Sequence, residues 1–189
     1  SVLCQSYENF EVIICDNFSN DNSIDVIKSF KDNRIKLLKN RYNIGFSGNL
    51  TKVMSYAQNE FIIFLPSDDL LKPNALKDCS ELLSSYKKDL TNLILSYQTE
   101  QINSDENSVV SSVYNSPYFN KYEKKFTYRN DKSIECFEFA GKDIYEIMLE
   151  KIQMPFSIQS MVFSKALFDK GEGANAPRHI GPDKFLALK

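Results

Sequence analysis

Three apolar, β-branched runs, each followed by a stretch of helical periodicity, constrain this chain more than any other feature. They are "FEVIICD" (10–16), "RIKLLKN" (34–40) and "EFIIFLP" (60–66). Apolar runs with little alternation predict strands buried on both faces. The segments that follow, "SIDVIKSFKD" (23–32), "LTKVMSYAQN" (50–59) and "NALKDCSELLSSY" (74–86), space their apolar residues as helices do, Ile24, Ile27 and Phe30 among them. Asp21 or Ser23 is placed to cap the first helix, Pro73 suits the start of the third, and "NIGFSGN" (43–49) reads as a glycine-containing loop. This alternation predicts an α/β fold: a doubly wound, mostly parallel sheet flanked by helices in a single domain. Downstream, "NLILSYQTE" (92–100) predicts a strand, and residues 101–134 a long excursion of loops or short strands. "GKDIYEIMLEKI" (141–152) predicts a helix, "SIQSMVFSKALF" (157–168) a strand running into a short helix, and a last helix starts near Asp183.

Composition narrows the function. A formal charge of -2 and a pI near 5.5 argue against a nucleic-acid binder, which usually shows a basic face. Four cysteines, Cys4, Cys15, Cys79 and Cys136, form no CxxC pair, and a single histidine argues against structural zinc. Reduced, mostly buried thiols of a cytoplasmic protein are expected. No apolar stretch approaches the ~18 residues of a membrane span, and no signal peptide is visible. The chain opens "SVLCQSYENF" in what reads as the last turn of a helix and closes in the helical pattern "KFLALK". A piece of a longer polypeptide is therefore expected, with membrane association only through regions outside it.

Two strand ends carry the chemistry. In doubly wound sheets ligands sit beyond the carboxyl ends of the strands. Asp16 ends the first run, and in "FIIFLPSDDLL" (61–71) the pair Asp68 and Asp69 follows the third. Adjacent carboxylates repel, so a positive partner is expected beside them. They are hard ligands suited to Mg2+ or Mn2+, which leave their other positions to phosphates and water. The alternative is a capped turn in which the aspartates accept backbone N–H groups ahead of the helix at Asn74.

The ordered set "SVLCQSYENFEVIICDNFSNDNS" and "NRYNIGFSGNLTKVMSYAQNEFIIFLPSDDLLKP" resembles glycosyltransferase family two, inverting enzymes of the GT-A type. The likeness spans residues 1 to about 97, with a weaker match over 153–189. It implies a GT-A-like sheet lacking its first strand, with a nucleotide-binding half (1–97) and an acceptor-binding half (98–189). It also implies that Asp16 hydrogen-bonds the nucleobase, most naturally a uracil N–H, for which a carboxylate is an apt acceptor. By the same resemblance Asp68 contacts the ribose or joins the metal shell, and Asp69 ligates the metal, Mn2+ or Mg2+. Two positions depart from the family: Pro66 stands where many members have the first Asp of Asp-x-Asp-Asp, and Asn17 where Asp-Asp is common.

Inversion needs a base opposite the departing diphosphate, and the resemblance gives Asp183 that catalytic role. Read alone, Asp183 is equally a first-turn acid favoured by the helix dipole after Pro182. His179 is a candidate metal or diphosphate contact and Arg178 a candidate phosphate partner, each otherwise plain surface, and the aromatics from Tyr114 to Tyr128 are candidate sugar platforms or loop anchors. The resemblance implies transfer from a nucleoside-diphosphate sugar, UDP-sugar favoured, to a glycan or lipid-linked acceptor. A bacterial surface polysaccharide made at the inner face of the membrane is the default destination. The rivals are a sugar-phosphate nucleotidyltransferase, which lacks its glycine-rich basic loop here, and a catalytically silent carbohydrate-binding or assembly domain, which Pro66 favours.

Overall fold

The computed structural model describes residues 1–86, 88–97, 99–102, 109–113, 125–129, 133–137 and 161–170. In chain order these hold a 3-10 turn (Val2–Cys4), β1 (Val12–Asp16), α1 (Ser23–Ser29), β2 (Ile35–Lys39), α2 (Gly45–Ser55), β3 (Phe61–Ile63) and α3 (Ala75–Ser85). There follow β4 (Ile94–Ser96), β5 (Thr99–Ile102), β6 (Val109–Val113), β7 (Lys125–Arg129), β8 (Ser133–Phe137), β9 (Met161–Ser164) and α4 (Lys165–Lys170). The chain divides into two compact units, Ser1–Leu95 with the segment from Val162 onward, and Ser96–Met161. The second unit carries two antiparallel pairs, β5 with β6 and β7 with β8. The run 92–100, expected as one strand, is two: β4 ends at Ser96, and β5 pairs in a different ladder. The helices expected over 141–152 and near Asp183 lie outside the described residues.

In the first unit β1 and β2 pair in parallel, from Val12 opposite Ile35 to Asp16 opposite Lys39. A parallel pair needs a crossover, and α1 supplies it. Asp21 accepts the Ser23 N–H at 2.9 Å, while the N-cap residue, Asn22, makes no side-chain cap bond. The helix stops at Ser29 instead of residue 32, because Phe30 turns extended (φ -74, ψ 117).

The larger departure concerns α2, which starts at Gly45 inside the segment expected to be a loop. Side chains of distant asparagines build that start. Asn43 Oδ1 accepts the Gly45 N–H (2.8 Å) and Asn17 Oδ1 accepts the Ile44 N–H (3.0 Å). Gly45 itself sits at φ 77, a conformation that glycine adopts without strain. Asn17 Nδ2 donates to Asn43 Oδ1 (2.9 Å) and to the Gly45 carbonyl (3.3 Å). Asn40, just past β2, donates to Asn17 Oδ1 (2.9 Å) and Asn49 Oδ1 (2.8 Å), and Asn49 returns a bond to the Cys15 carbonyl (3.0 Å). Lys52 Nζ donates to Asn40 Oδ1 at 2.6 Å. The carboxyl ends of β1 and β2 and the first two turns of α2 are thus one hydrogen-bonded block.

From this edge α2 runs back to the other. There Glu11 Oε1, ahead of β1, accepts the N–H groups of Gln58 (2.7 Å) and Asn59 (3.2 Å) and the Asn59 side chain (3.1 Å), ahead of β3. Strand β3 therefore leaves the same edge as β1 and runs in the same sense. It pairs antiparallel with β9, Phe61 opposite Ser164 and Ile63 opposite Val162, and β9 lies between β3 and β4.

All four residues of β9 are buried. The other buried apolar side chains among the described residues are Leu50 and Met54 of α2, Ile62 of β3, Leu83 of α3 and Phe168 of α4. Each such side chain contributes about 1.5–3 kcal/mol by leaving water. Ser164 turns the strand into the helix: its hydroxyl accepts the Leu167 N–H (3.1 Å) and donates to the Thr91 carbonyl. The strand running into a short helix is found where the sequence places it.

Arg34 pins the N-terminal segment to this layer. Its guanidinium donates to both Asp32 oxygens (3.0 and 2.7 Å) and to the Leu3 carbonyl (3.2 Å), and lies 4.4 Å from the centre of the Phe10 ring. Cys4, Cys15 and Cys79 are free: Cys4 is exposed, not buried as expected, whereas Cys15 and Cys79 are half-buried. Burial pushes the Cys79 thiol up to about 11. Among the described residues no helix is long and apolar enough to cross a membrane.

Two outcomes are expected. Asn17→Asp removes both Nδ2 donors and sets a carboxylate against Asn43 Oδ1 and the Gly45 carbonyl. A loss of about 1–3 kcal/mol follows, read as a melting temperature lower by several degrees. The Arg34 hydrogen bonds hold the Asp32 carboxyl down at about 2. With the folded value below the unfolded one, ionised Asp32 stabilises the fold at neutral pH, and that contribution disappears as pH falls through the ordinary carboxylate range toward 2. The melting-temperature gap between wild type and Asp32→Asn should accordingly be largest near pH 7 and close in acid.

Candidate functional site

Asp16 is the last residue of β1 and only 7% exposed. Its carbonyl accepts the Asn40 N–H (2.9 Å), and both carboxylate oxygens accept the Ser19 N–H at 3.3 Å. One shared N–H leaves most of the carboxylate's acceptor capacity unused. The bond closes a tight turn over Asn17 and Phe18, and Phe18 takes φ 72 there.

Asp68 and Asp69 lie in an exposed turn beyond β3, which the Asp69 N–H closes onto the Pro66 carbonyl at 3.3 Å. Pro66 opens that turn, so its carbonyl shapes the acidic loop even though the residue carries no carboxylate. Among the described residues no backbone N–H and no cation engages either side chain. The capped-turn alternative does not describe them, for α3 starts from Asn74 without a side-chain cap bond. Nor does the chain supply the positive partner expected beside them, within the described residues. Among the described residues the pair is an unengaged set of hard oxygen donors.

The loop that carries the pair is braced from the N-terminal segment. Gln5, buried, donates to the Lys72 carbonyl (2.8 Å) and accepts the Leu76 N–H (3.1 Å). The Ser6 N–H reaches the Pro73 carbonyl (3.3 Å), and Ser1 Oγ accepts the Leu71 N–H (3.2 Å). Sequence reasoning missed Gln5, since a lone glutamine in a polar stretch carries no periodic signal.

A ring contact gathers the two acidic sites on one edge. Phe46, next to the Gly45 that Asn17 holds, packs edge-on against Phe64, the residue directly after β3, with centroids 6.3 Å apart at 78°. The end of β3, four residues ahead of Asp68, is thereby held against the start of α2, which is bonded to the end of β1. Asp16 and the Asp68–Asp69 turn share this carboxyl edge but make no bond to each other. No group of three or more His, Cys, Asp or Glu gathers among the described residues. Asp183, Arg178, His179 and most of the stretch from Tyr114 to Tyr128 lie outside them. Three exposed aromatics, Phe18 (59%), Tyr42 (68%) and Phe46 (58%), also stand on this edge and went unread in the sequence. At the opposite end of β3 a cavity of ≈ 560 Å³ is lined by Glu60, Phe61, Asp89, Thr91, Lys165 and Asp169, and holds none of the expected residues.

Known proteins resemble this arrangement in sequence and in shape. The chain is 44% identical over 77 residues to the UDP-Glc:alpha-D-GlcNAc-diphosphoundecaprenol beta-1,3-glucosyltransferase WfgD of Escherichia coli, covering 41% of this chain and 30% of that protein. It is 33% identical over 117 residues to WfaP of the same species, which bears the same functional name, covering 62% of this chain and 44% of that one. The chain thus spans less than half the length of these relatives. The crystal structure of S. aureus TarS 1-349 superposes with a TM-score of 0.66 over 99% of this chain and 48% of its own, at 15% identity. That likeness shows the fold, which is α/β of the GT-A type. Residues 1–146 of the 189 match the family described as Glycosyl transferase family 2, and the chain belongs to it.

Proposed function

We propose that the protein is an inverting glycosyltransferase that moves a sugar from a nucleoside-diphosphate sugar, a UDP-sugar, to a hydroxyl of a lipid-linked or glycan acceptor. The observation that carries the reading is the pair of carboxylates, Asp68 and Asp69, unengaged among the described residues on the edge where Asp16 ends β1, in a chain of this family. The UDP-glucose and diphosphoundecaprenol in the names of the two Escherichia coli relatives favour that donor and an acceptor of that kind. Surface polysaccharide synthesis at the inner face of the membrane follows from such an acceptor. Family membership weighs against a nucleotidyltransferase.

The donor set fits Mn2+ or Mg2+. Two adjacent carboxylates with no other partner among the described residues suit a cation that takes one or two protein ligands and completes its shell from diphosphate and water. Asp69 and Asp68 would hold it, and when bound it offsets the charge growing on the departing diphosphate. The protein's own groups do the rest. Asp16, fixed by Ser19, has acceptor capacity for a uracil N–H, a charge-assisted bond. The Pro66–Asp69 turn and the Gln5 brace keep the acidic loop in place. Asp183 takes the acceptor's proton as general base, a role that requires it to come within hydrogen-bond reach of the hydroxyl.

Binding of UDP measured by calorimetry should weaken at least about tenfold when Mn2+ is replaced by a chelator, and Asp69→Ala should erase that dependence. Saturable binding indifferent to chelator would refute the metal role. Asp183→Asn should lower kcat by about 10²–10⁴-fold with little change in the donor's KM. Full turnover in that variant would assign the base elsewhere.

A further inference from the structure

Phe18 is the one non-glycine residue at positive φ among the described residues, at 72°. A β-carbon makes that conformation strained, and a bulky ring is a poorer occupant than glycine, asparagine or aspartate. The surrounding bonds leave the position no freedom. Asp16 takes the Ser19 N–H on one side, and Asn17 is held through four hydrogen bonds on the other. The turn therefore dictates the φ of residue 18, but nothing in the turn asks for a phenylalanine.

Packing does not account for the ring either. It is 59% exposed, and among the described residues it meets no aromatic partner and no cation. A strained backbone that carries an uncovered aromatic, two residues past a buried carboxylate at a strand's carboxyl end, is the pattern of a ligand contact. A flat heterocycle is what an exposed ring can bind without directional bonds. Tyr42 and Phe46 flank the same asparagine block, which gives the edge an aromatic character the fold itself does not use at Phe18 and Tyr42.

We infer that the Phe18 ring is a stacking face for the nucleobase of the donor, beside the acceptor atoms of Asp16. The inference rests on the nucleotide-sugar reading and assigns a contact within that site. Stacking tolerates any base, so Phe18 contributes affinity while hydrogen bonding at Asp16 contributes the choice of base.

The test compares wild type with Phe18→Asn, which keeps a residue tolerant of positive φ but removes the ring, and with Phe18→Tyr, which keeps a ring. Calorimetric titration in Mn2+ uses UDP and, as a probe without a base, inorganic pyrophosphate. Phe18→Asn should bind UDP roughly tenfold more weakly, bind pyrophosphate as wild type does, and melt no lower than wild type. Phe18→Tyr should restore UDP binding. Unchanged UDP affinity in Phe18→Asn, or equal losses for UDP and pyrophosphate, would overturn the stacking role. So would a lower melting temperature coupled to both losses, because the ring would then be supporting the turn. Loss of binding to vesicles of anionic phospholipid, with UDP affinity intact, would reassign the ring to a membrane surface. A wild type that binds neither UDP, GDP nor CDP would remove the donor site itself, an outcome distinct from each of these.

Discussion

The arrangement of this site depends on a neutral amide that donates and accepts at once. Asn17 takes the Asn40 side chain and the Ile44 N–H on its oxygen, and gives its two protons toward Asn43 and Gly45. No carboxylate could fill that place, since it has nothing to donate. Through this side chain the ends of β1 and β2 fix where α2 begins, and through Phe46 and Phe64 the start of α2 fixes where β3 ends. The acidic turn inherits its location from that chain of contacts.

The three carboxylates on the edge are treated differently by the fold. Asp16 is buried and engaged by the turn it closes, so its position is set before any ligand arrives. Asp68 and Asp69 are exposed and unengaged within the described residues, so their conformers are available to a cation. In the proposed site, a preorganised Asp16 lowers the ordering cost of binding where orientation matters most.

The strands and helices of the first unit were legible because burial writes itself as periodicity: the runs at 10–16, 34–40 and 60–66 each contain a strand, and Asp16, Asp68 and Asp69 follow from where those strands end. The start of α2 was not legible. It is made by Asn17 and Asn43 and by a positive φ at Gly45, and a partner 27 or 28 residues away leaves no mark in a local window. The break between β4 and β5 escaped for a related reason, since an apolar run reports strand character and not which ladder each half joins. At the site, residue types pointed to Asp16, Asp68 and Asp69 as candidates, but the exposure and strain of Phe18 are properties of the folded structure alone. Asn17 looked like a weakened acid in the sequence; its four bonds make it the anchor of the edge.

That substitution also bears on charge. The edge already holds Asp16, Asp68 and Asp69, and a further carboxylate at residue 17 would add to their repulsion and, for the donor proposed above, oppose a nucleoside diphosphate. The amide avoids that charge, and Lys52 adds a positive one, donating to Asn40 at 2.6 Å. The Cys15 thiol reports both fields: burial pushes its pKa up, Lys52 pulls it down and Asp16 pushes it up again. One sulfur beside β1's last residue therefore senses the cation of α2 and the anion of the strand end together. A neutral clamp with a lysine behind it therefore leaves this edge less negative than a second aspartate would.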